Sequence, residues 1–353
     1  MDLFWIRGRE HINFNRPNIF FPVGLPGCGK STLLEWLALK HTKVIDLFGS
    51  RDSEGLGWCR SSRKDDILFV TGDSVEINGK WDSIQISKLT YADIKKYRVI
   101  LSVHAFFSNY NEEFWAMNEI VKRLWRRTHW IKPWYVMIRE ASNLFYSRIK
   151  IVKNQAVAKA DSIYLMRELR HSGYAIGVDT VRWTSMDKEV RDLANYTFIK
   201  RVGVHGLPDD IHWLYKFIDP DSLMDLDPSC FVLVCSRGPI ALGWFEEVPW
   251  HKQEKENILK ILDLEPQYGE LPDYLQPGYS AAHVGATEHT KILEKYLEVQ
   301  NMGKVGELIK RSAGTVHNHI ANHNREVRAL GSCSRCKRRN HKLQDQIIDI
   351  TKR

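Results

Sequence analysis

The chain has 353 residues, 43% of them hydrophobic, and a formal net charge of +8. That length suits two domains, or one large domain with an appendage, and the apolar share is enough to bury a full core. No apolar run approaches the ~20 residues of a membrane span, and the N-terminus lacks the apolar centre of a signal peptide. Six scattered cysteines (Cys28, Cys59, Cys230, Cys235, Cys333 and Cys336) fit a reducing cytoplasm better than a disulfide framework.

Taken in chain order, residues 18–23 read as a buried strand and 31–40 as an amphipathic helix. Between them lies Gly24-Leu25-Pro26-Gly27-Cys28-Gly29-Lys30-Ser31, which fits G-x-x-x-x-G-K-[ST]. In this phosphate-binding loop the glycines let the backbone curl so that successive N–H groups face phosphate oxygens. The helix N-terminus adds its dipole to the same anion site. The expected ligands of a bound ATP are therefore Gly24, Gly27, Cys28, Gly29, Lys30, Ser31 and Thr32. Lys30 reaches the β- and γ-phosphates, and the Ser31 hydroxyl ligates Mg²⁺.

Short apolar runs at 43–47, 66–70, 74–77, 98–103, 134–138 and 174–178 predict further strands, and 112–127 and 154–171 predict helices. Lys122, Arg123, Arg126 and Arg127 cluster beside Trp125 at the end of the first of these helices. They read more readily as a solvated helix C-terminus than as a DNA-facing patch. Residues 197–201 form a short apolar run ending in Lys200 and Arg201. Two strands at 231–235 and 241–245 flank the turn Ser236-Arg-Gly-Pro239 and predict a β-hairpin. Strands alternating with helices argue for an α/β protein with a mostly parallel sheet.

Hydrolysis needs an acid at the end of a neighbouring strand, because that edge of a parallel sheet faces the ligand. Glu140 follows the strand at 134–138 and is the candidate to polarise the attacking water. The usual pair at this place is Asp-Glu, but here residue 139 is arginine. Mg²⁺ must then rely on Ser31 and water, or on an acid from elsewhere; Asp46 and Asp179, both at predicted strand ends, could substitute. Asp179 also stands where a sensor of the γ-phosphate is expected, although it could simply cap the following helix. Among Arg170, Arg182, Arg191 and Arg201, the choice for an arginine that neutralises transition-state charge is Arg201, usually acting on a neighbouring subunit.

The P-loop, the run Glu140 to Leu144 (Glu-Ala-Ser-Asn-Leu), Arg170-His-Ser-Gly173 before a strand with a polar end, the run Arg191 to Arg201, and the closing hairpin together resemble the FtsK–HerA superfamily. The likeness covers roughly residues 15–250 and is closest to the HerA-like, archaeal virus- or plasmid-encoded branch. It implies a RecA-like core, a homo-oligomeric ring (often a hexamer), ATP hydrolysis, and movement of double-stranded DNA through the pore. Arg139 in place of Asp, and Asp179 where Gln is common, depart from that pattern.

The tail is different in kind. From Thr287 to Arg353 there are 14 Lys and Arg against 7 Asp and Glu, so nearly all of the positive excess lies in the last fifth of the chain. Three helices are expected between Thr287 and Leu330, the last two joined by Ser312-Ala-Gly314 with helix-turn-helix spacing. Thr315, His317 and Asn318 would face base edges, and Lys310, Arg311 and Arg325 phosphates. The plainer reading is a small helical bundle for protein contact. Cys333 and Cys336, with His341 close behind, offer three of the four ligands Zn²⁺ requires, with His323 or a second subunit to complete the set; the alternative is two free thiols. The expected organisation is an ATPase domain at 1–250, a linker at 251–286, a helix-turn-helix domain at 287–331 and a basic tail at 332–353. The leading expectation is an ATP-driven DNA translocase or packaging-type motor. The alternative is a nucleotide-switched DNA-binding regulator or partition protein with slow hydrolysis.

Overall fold

The computed structural model describes residues 1–47, 54–77, 81–125, 132–147, 152–168, 173–251, 258–264, 266–269, 281–309, 313–330, 333, 336 and 346–348. They fall into two compact units, Met1–Leu271 and Pro272–Arg353.

The first unit is built on an eleven-stranded sheet. Its strands are β1 (Asp2–Arg7), β2 (Ile19–Val23), β3 (Val44–Leu47), β4 (Ile67–Thr71), β6 (Ser83–Gln85), β7 (Val99–Ser102), β8 (Trp134–Ile138), β9 (Tyr174–Val178), β10 (Tyr196–Ile199), β11 (Cys230–Cys235) and β12 (Ile240–Trp244). The spatial order is β1-β12-β11-β10-β2-β9-β8-β3-β7-β4-β6. From β6 to β10 every pairing is parallel. The hairpin β11–β12 and the N-terminal strand β1 extend it antiparallel. A separate pair joins β5 (Val75–Ile77) to β13 (Pro266–Tyr268).

The central strands are apolar at successive positions because both faces are covered. Phe21, Ile45, Ile100 and Val136 enter one core, packed with α3 (Tyr110–Leu124) and α4 (Lys153–Arg167). Phe20, Val44, Leu101 and Tyr135 enter the other, under α1 (Lys30–Leu39). The strand β9 sits between the P-loop strand β2 and β8. This is a RecA-like P-loop NTPase core with a mostly parallel sheet, as the sequence predicts.

Among the elements not expected are β1, β6 and a short helix near residue 91. In β1 Leu3 and Trp5 pack against the core while Phe4 stays 66% exposed. β6 is only three residues long. The short helix α2 (Tyr91–Lys96) is set by a reciprocal Thr90–Asp93 capping box. The helix expected at 112–127 spans Tyr110–Leu124, started by the Asn109 side chain accepting from the Glu112 amide. Its cations serve the helix end: Lys122 and Arg123 both pair with Glu119, and Arg123 also donates to the Leu89 carbonyl. Residues 126–127 lie outside the described set. The short helices α5 (Lys188–Leu193), α6 (Pro220–Met224) and α7 (Ile258–Ile261) also belong to this unit. Residues 258–264 and 266–269, within the stretch expected to be a linker, return to the first unit: Leu262 accepts from the Trp81 indole, and Tyr268 donates to the Ala105 carbonyl.

In the second unit, α8 (Ala281–Val299), α9 (Met302–Ile309) and α10 (Ala313–Leu330) bury Ile292, Leu293, Tyr296, Val305, Val316, Ile320 and Val327. Ala313 and Gly314, expected in the turn, belong to α10 instead.

Candidate nucleotide-binding site

In a parallel sheet the strands end at one edge, so the loops that follow them meet there. The P-loop follows β2, Glu140 follows β8 and Asp179 follows β9. All three line one cavity of about 420 Å³, together with Thr180, Val181, Pro228, Glu54 and His251. Its floor is formed by Gly27, Gly29, Lys30, Ser31 and Thr32.

The glycines are required by the path of the loop. Gly24, Gly27 and Gly29 have φ of 158°, 71° and 82°. A side chain at Gly24 would meet Lys200 Cβ at 2.7 Å and the Arg201 carbonyl at 2.9 Å, and one at Gly29 would run into the Pro228 carbonyl. The Gly24 and Leu25 amides donate to the Thr180 and Arg201 carbonyls, which ties the loop to β9 and β10. Cys28 is buried beneath it, and burial raises the pKa of its thiol, with Lys30 and Lys200 pulling the other way. Lys30 is 8% exposed, and its ammonium donates to the Leu25 carbonyl at 2.8 Å, inside the loop. A buried cation held by a neutral carbonyl, in a glycine-rich turn at a helix N-terminus, fits a polyphosphate. The fit to Mg²⁺ is also chemical: the Ser31 hydroxyl and three carboxylates border the same cavity.

Glu140 is exposed in the left-handed region (φ 44°, ψ 45°), a costly conformation for a residue with a side chain. The conformation is held from both sides. The Glu140 amide donates to the Asp179 carboxylate, and the Ala141 amide to the Asp179 carbonyl at 2.8 Å. Asp179 is thus not the cap of the next helix; that role falls to Asp187, which accepts from the Glu189 amide at 2.9 Å. Burial drives the Asp179 carboxyl up to about 7, Lys30 and Arg139 oppose the rise, and Glu54 adds to it.

Arg139 points the other way, into the sheet, fully buried. Its guanidinium binds Asp46 (Nη2–Oδ2, 2.9 Å), Glu35 (Nη2–Oε1, 2.6 Å) and Glu54 (Nη1–Oε2, 3.4 Å). Asp46 also accepts from the Trp58 indole at 2.8 Å, and Glu35 from His251 at 2.7 Å. Burial works against the Arg139 charge, but Asp46 and Glu35 outweigh it and push its pKa further up. Asp46, a candidate substitute ligand for Mg²⁺, is therefore sealed under Arg139 and does not line the cavity. The acid that Arg139 presents at the cavity wall is Glu54, with 12% of its side chain exposed. Sequence reading missed Glu54 because it lies in a polar loop, remote from any motif. His251 was missed for the same reason.

Arg201 lies outside this cavity, with Nε donating to the Leu226 carbonyl at 3.0 Å. Its neighbour Lys200 is fully buried against Pro228, and burial lowers its pKa to about 8. Arg191 pairs with Asp210 at 2.6 Å. Arg170 lies outside the described residues.

On α10, His317 and Asn318 are exposed and Thr315 half-buried, all near the helix N-terminus. Lys310, Arg311 and His341 lie outside the described residues, as does the side chain of Arg325. Among the described residues no helix is long and apolar enough to cross a membrane.

Neither a protein-family model nor a curated protein matches the chain. Its fold is similar to that of the genome packaging NTPase B204 of Sulfolobus turreted icosahedral virus 2, solved with ATP-gammaS. That likeness has 16% identity, covers 66% of this chain and 98% of that one, and has a TM-score of 0.38. VirB4 of Thermoanaerobacter pseudethanolicus is similar at 12% identity, covering 70% of this chain and 93% of that one, with a TM-score of 0.45. The strand order and the P-loop geometry, rather than these distant likenesses, identify the P-loop NTPase fold.

Proposed function

We propose that this chain is an ATP-hydrolysing motor of the FtsK–HerA type that moves double-stranded DNA as a homo-oligomeric ring, a hexamer in the simplest form. The observation that carries the reading is the meeting of the P-loop, Lys30, Glu140 and Asp179 on one cavity at the C-terminal edge of a parallel sheet. The loop amides from Gly27 to Thr32 cradle the phosphates, while those of Gly24 and Leu25 stay on the Thr180 and Arg201 carbonyls, and the Lys30 ammonium leaves the Leu25 carbonyl for the β- and γ-phosphates. Mg²⁺, when bound, offsets charge on those phosphates; Ser31 holds it, with Glu54 and Asp179 as the acids near enough to act through water. Glu140 orients and polarises the attacking water, and Asp179 fixes the Glu140 backbone while reading the γ-phosphate. Arg201, outside its own cavity, serves a neighbouring subunit's nucleotide.

The DNA part of the reading rests on the charge of the tail and on α9 and α10, which three residues separate, as in a helix-turn-helix. There Thr315, His317 and Asn318 take base edges, and Lys310, Arg311 and Arg325 take phosphates. The nucleotide-switched regulator remains the second reading because Arg139 removes the usual Mg²⁺-orienting acid.

Steady-state ATP hydrolysis by the full chain, with and without linear duplex DNA, tests the proposal. The motor predicts turnover raised at least tenfold by DNA, absent in Lys30→Ala and in Glu140→Gln, with Glu140→Gln still binding ATP. Slow turnover indifferent to DNA, with DNA affinity that differs between ATP and ADP, would establish the switch instead.

A further inference from the structure

Four buried side chains converge in the second unit: His289 on α8, His323 on α10, and Cys333 and Cys336 just beyond it. One ligand atom from each lies within 4.8 Å of all the others. We infer that they form a tetrahedral Cys₂His₂ zinc site that ties the first and third helices of this unit to the chain that follows them.

The distances suit the metal. Zn–S of about 2.3 Å and Zn–N of about 2.05 Å at a tetrahedral angle place sulfur and nitrogen roughly 3.6 Å apart. Cys333 Sγ lies 3.4 Å from His289 Nε2, and Cys336 Sγ lies 3.5 Å from His323 Nδ1. The two rings are 5.7 Å apart at their centroids. Each ring is oriented through its other nitrogen. His323 Nε2 donates to the Gln346 carbonyl at 2.7 Å, which leaves Nδ1 with its lone pair toward the cluster. His289 Nδ1 meets His319 Nδ1 at 3.1 Å. Ligating histidines are commonly fixed in this way by outer hydrogen bonds.

The placement gives the site a structural purpose. The apolar core of this unit is small, and Cys333 and Cys336 are part of it. Beside the cluster, the Asn324 side chain exchanges two hydrogen bonds with the Ile348 backbone, at 2.7 and 2.8 Å, and so holds 346–348 against α10. A metal that needs thiolates and neutral imidazoles, with no ligand left for water, closes a fold rather than driving a reaction. The ligand set keeps Cys333, Cys336 and His323, which the sequence offered to complete the site, and puts His289, 44 residues before Cys333, in the place expected for His341.

The test is metal content of the full chain purified without chelator, followed by Co²⁺ exchange. The proposal expects one zinc per chain, and a Co²⁺ spectrum with tetrahedral ligand-field bands and thiolate charge-transfer absorption of two sulfurs. The double variant Cys333→Ser, Cys336→Ser should lose the metal. His289→Ala and His323→Ala should each weaken binding at least tenfold, and His341→Ala should leave it unchanged. Wild-type protein without zinc and without a tetrahedral Co²⁺ spectrum would overturn the proposal. So would loss of metal in His341→Ala with retention in His289→Ala. The Co²⁺ spectrum of the unmutated chain decides the matter even where a variant does not fold.

Discussion

Arg139 and Glu140 are adjacent in sequence and opposite in use. One side chain turns into the sheet and neutralises Asp46 and Glu35; the other opens into the nucleotide cavity. Removing the guanidinium would leave two carboxylates buried without a counter-charge, a change that typically costs 3–5 kcal/mol. Arg139→Met is therefore expected to lower the unfolding free energy from a urea titration by about that much, with a lower midpoint, and Arg139→Asp, which adds a fourth acid beside Asp46, Glu35 and Glu54, to prevent folding. An unchanged midpoint in Arg139→Met would show that the cluster is not charged as described. Asp179 makes a prediction in pH. Its carboxyl keeps its proton to about 7 in the folded chain, against an ordinary 3.8. As pH rises between those values the unfolded chain gives up this proton and the folded chain does not, so this residue's contribution to stability falls. The fall is on the order of 4 kcal/mol in full. Asp179→Asn, which cannot ionise, should flatten the decline of thermal stability between about pH 4 and pH 7. An identical pH slope in the variant would contradict the burial argument.

At the scale of elements, the cavity is a product of loops, each shaped by what it packs against. Gly29 and Gly27 separate two demands on the P-loop. Both have positive φ, but a methyl at Gly29 runs into the Pro228 carbonyl, whereas one at Gly27 meets nothing within 4 Å. Gly29→Ala should cost about 1–3 kcal/mol and abolish nucleotide binding, while Gly27→Ala pays only the backbone term of roughly 1 kcal/mol. Isothermal titration with a non-hydrolysable ATP analogue separates them, and equal losses would contradict the loop geometry. The elements of the core were legible because their signals are local. Apolar runs such as 19–23 and 134–138 mark strands buried on both faces, and the P-loop carries its own backbone requirement. What was not legible depends on partners distant in sequence. β1 is a strand because β12 offers it an edge, with Phe4 opposite Leu242. Glu54 belongs to the cavity because Arg139, 85 residues later, draws it there. Asp46 looked available because its strand-end position is visible in the sequence and its burial under Arg139 is not.

For the whole molecule, the proposed function gives the two compact units different work. The first carries the P-loop cavity at the edge of its sheet, and the second carries the basic helical tail whose folding the zinc proposal makes dependent on metal. In the motor reading, hydrolysis in the first unit is coupled to movement along the duplex, which stimulation of turnover alone does not establish. The most direct measurement is displacement of a triplex-forming strand from linear duplex DNA by the full chain. The account predicts ATP-dependent displacement whose lag grows with the distance the protein must travel, and none with Lys30→Ala or Glu140→Gln. Hydrolysis stimulated by DNA without any displacement, or displacement that proceeds equally in ADP, would contradict it.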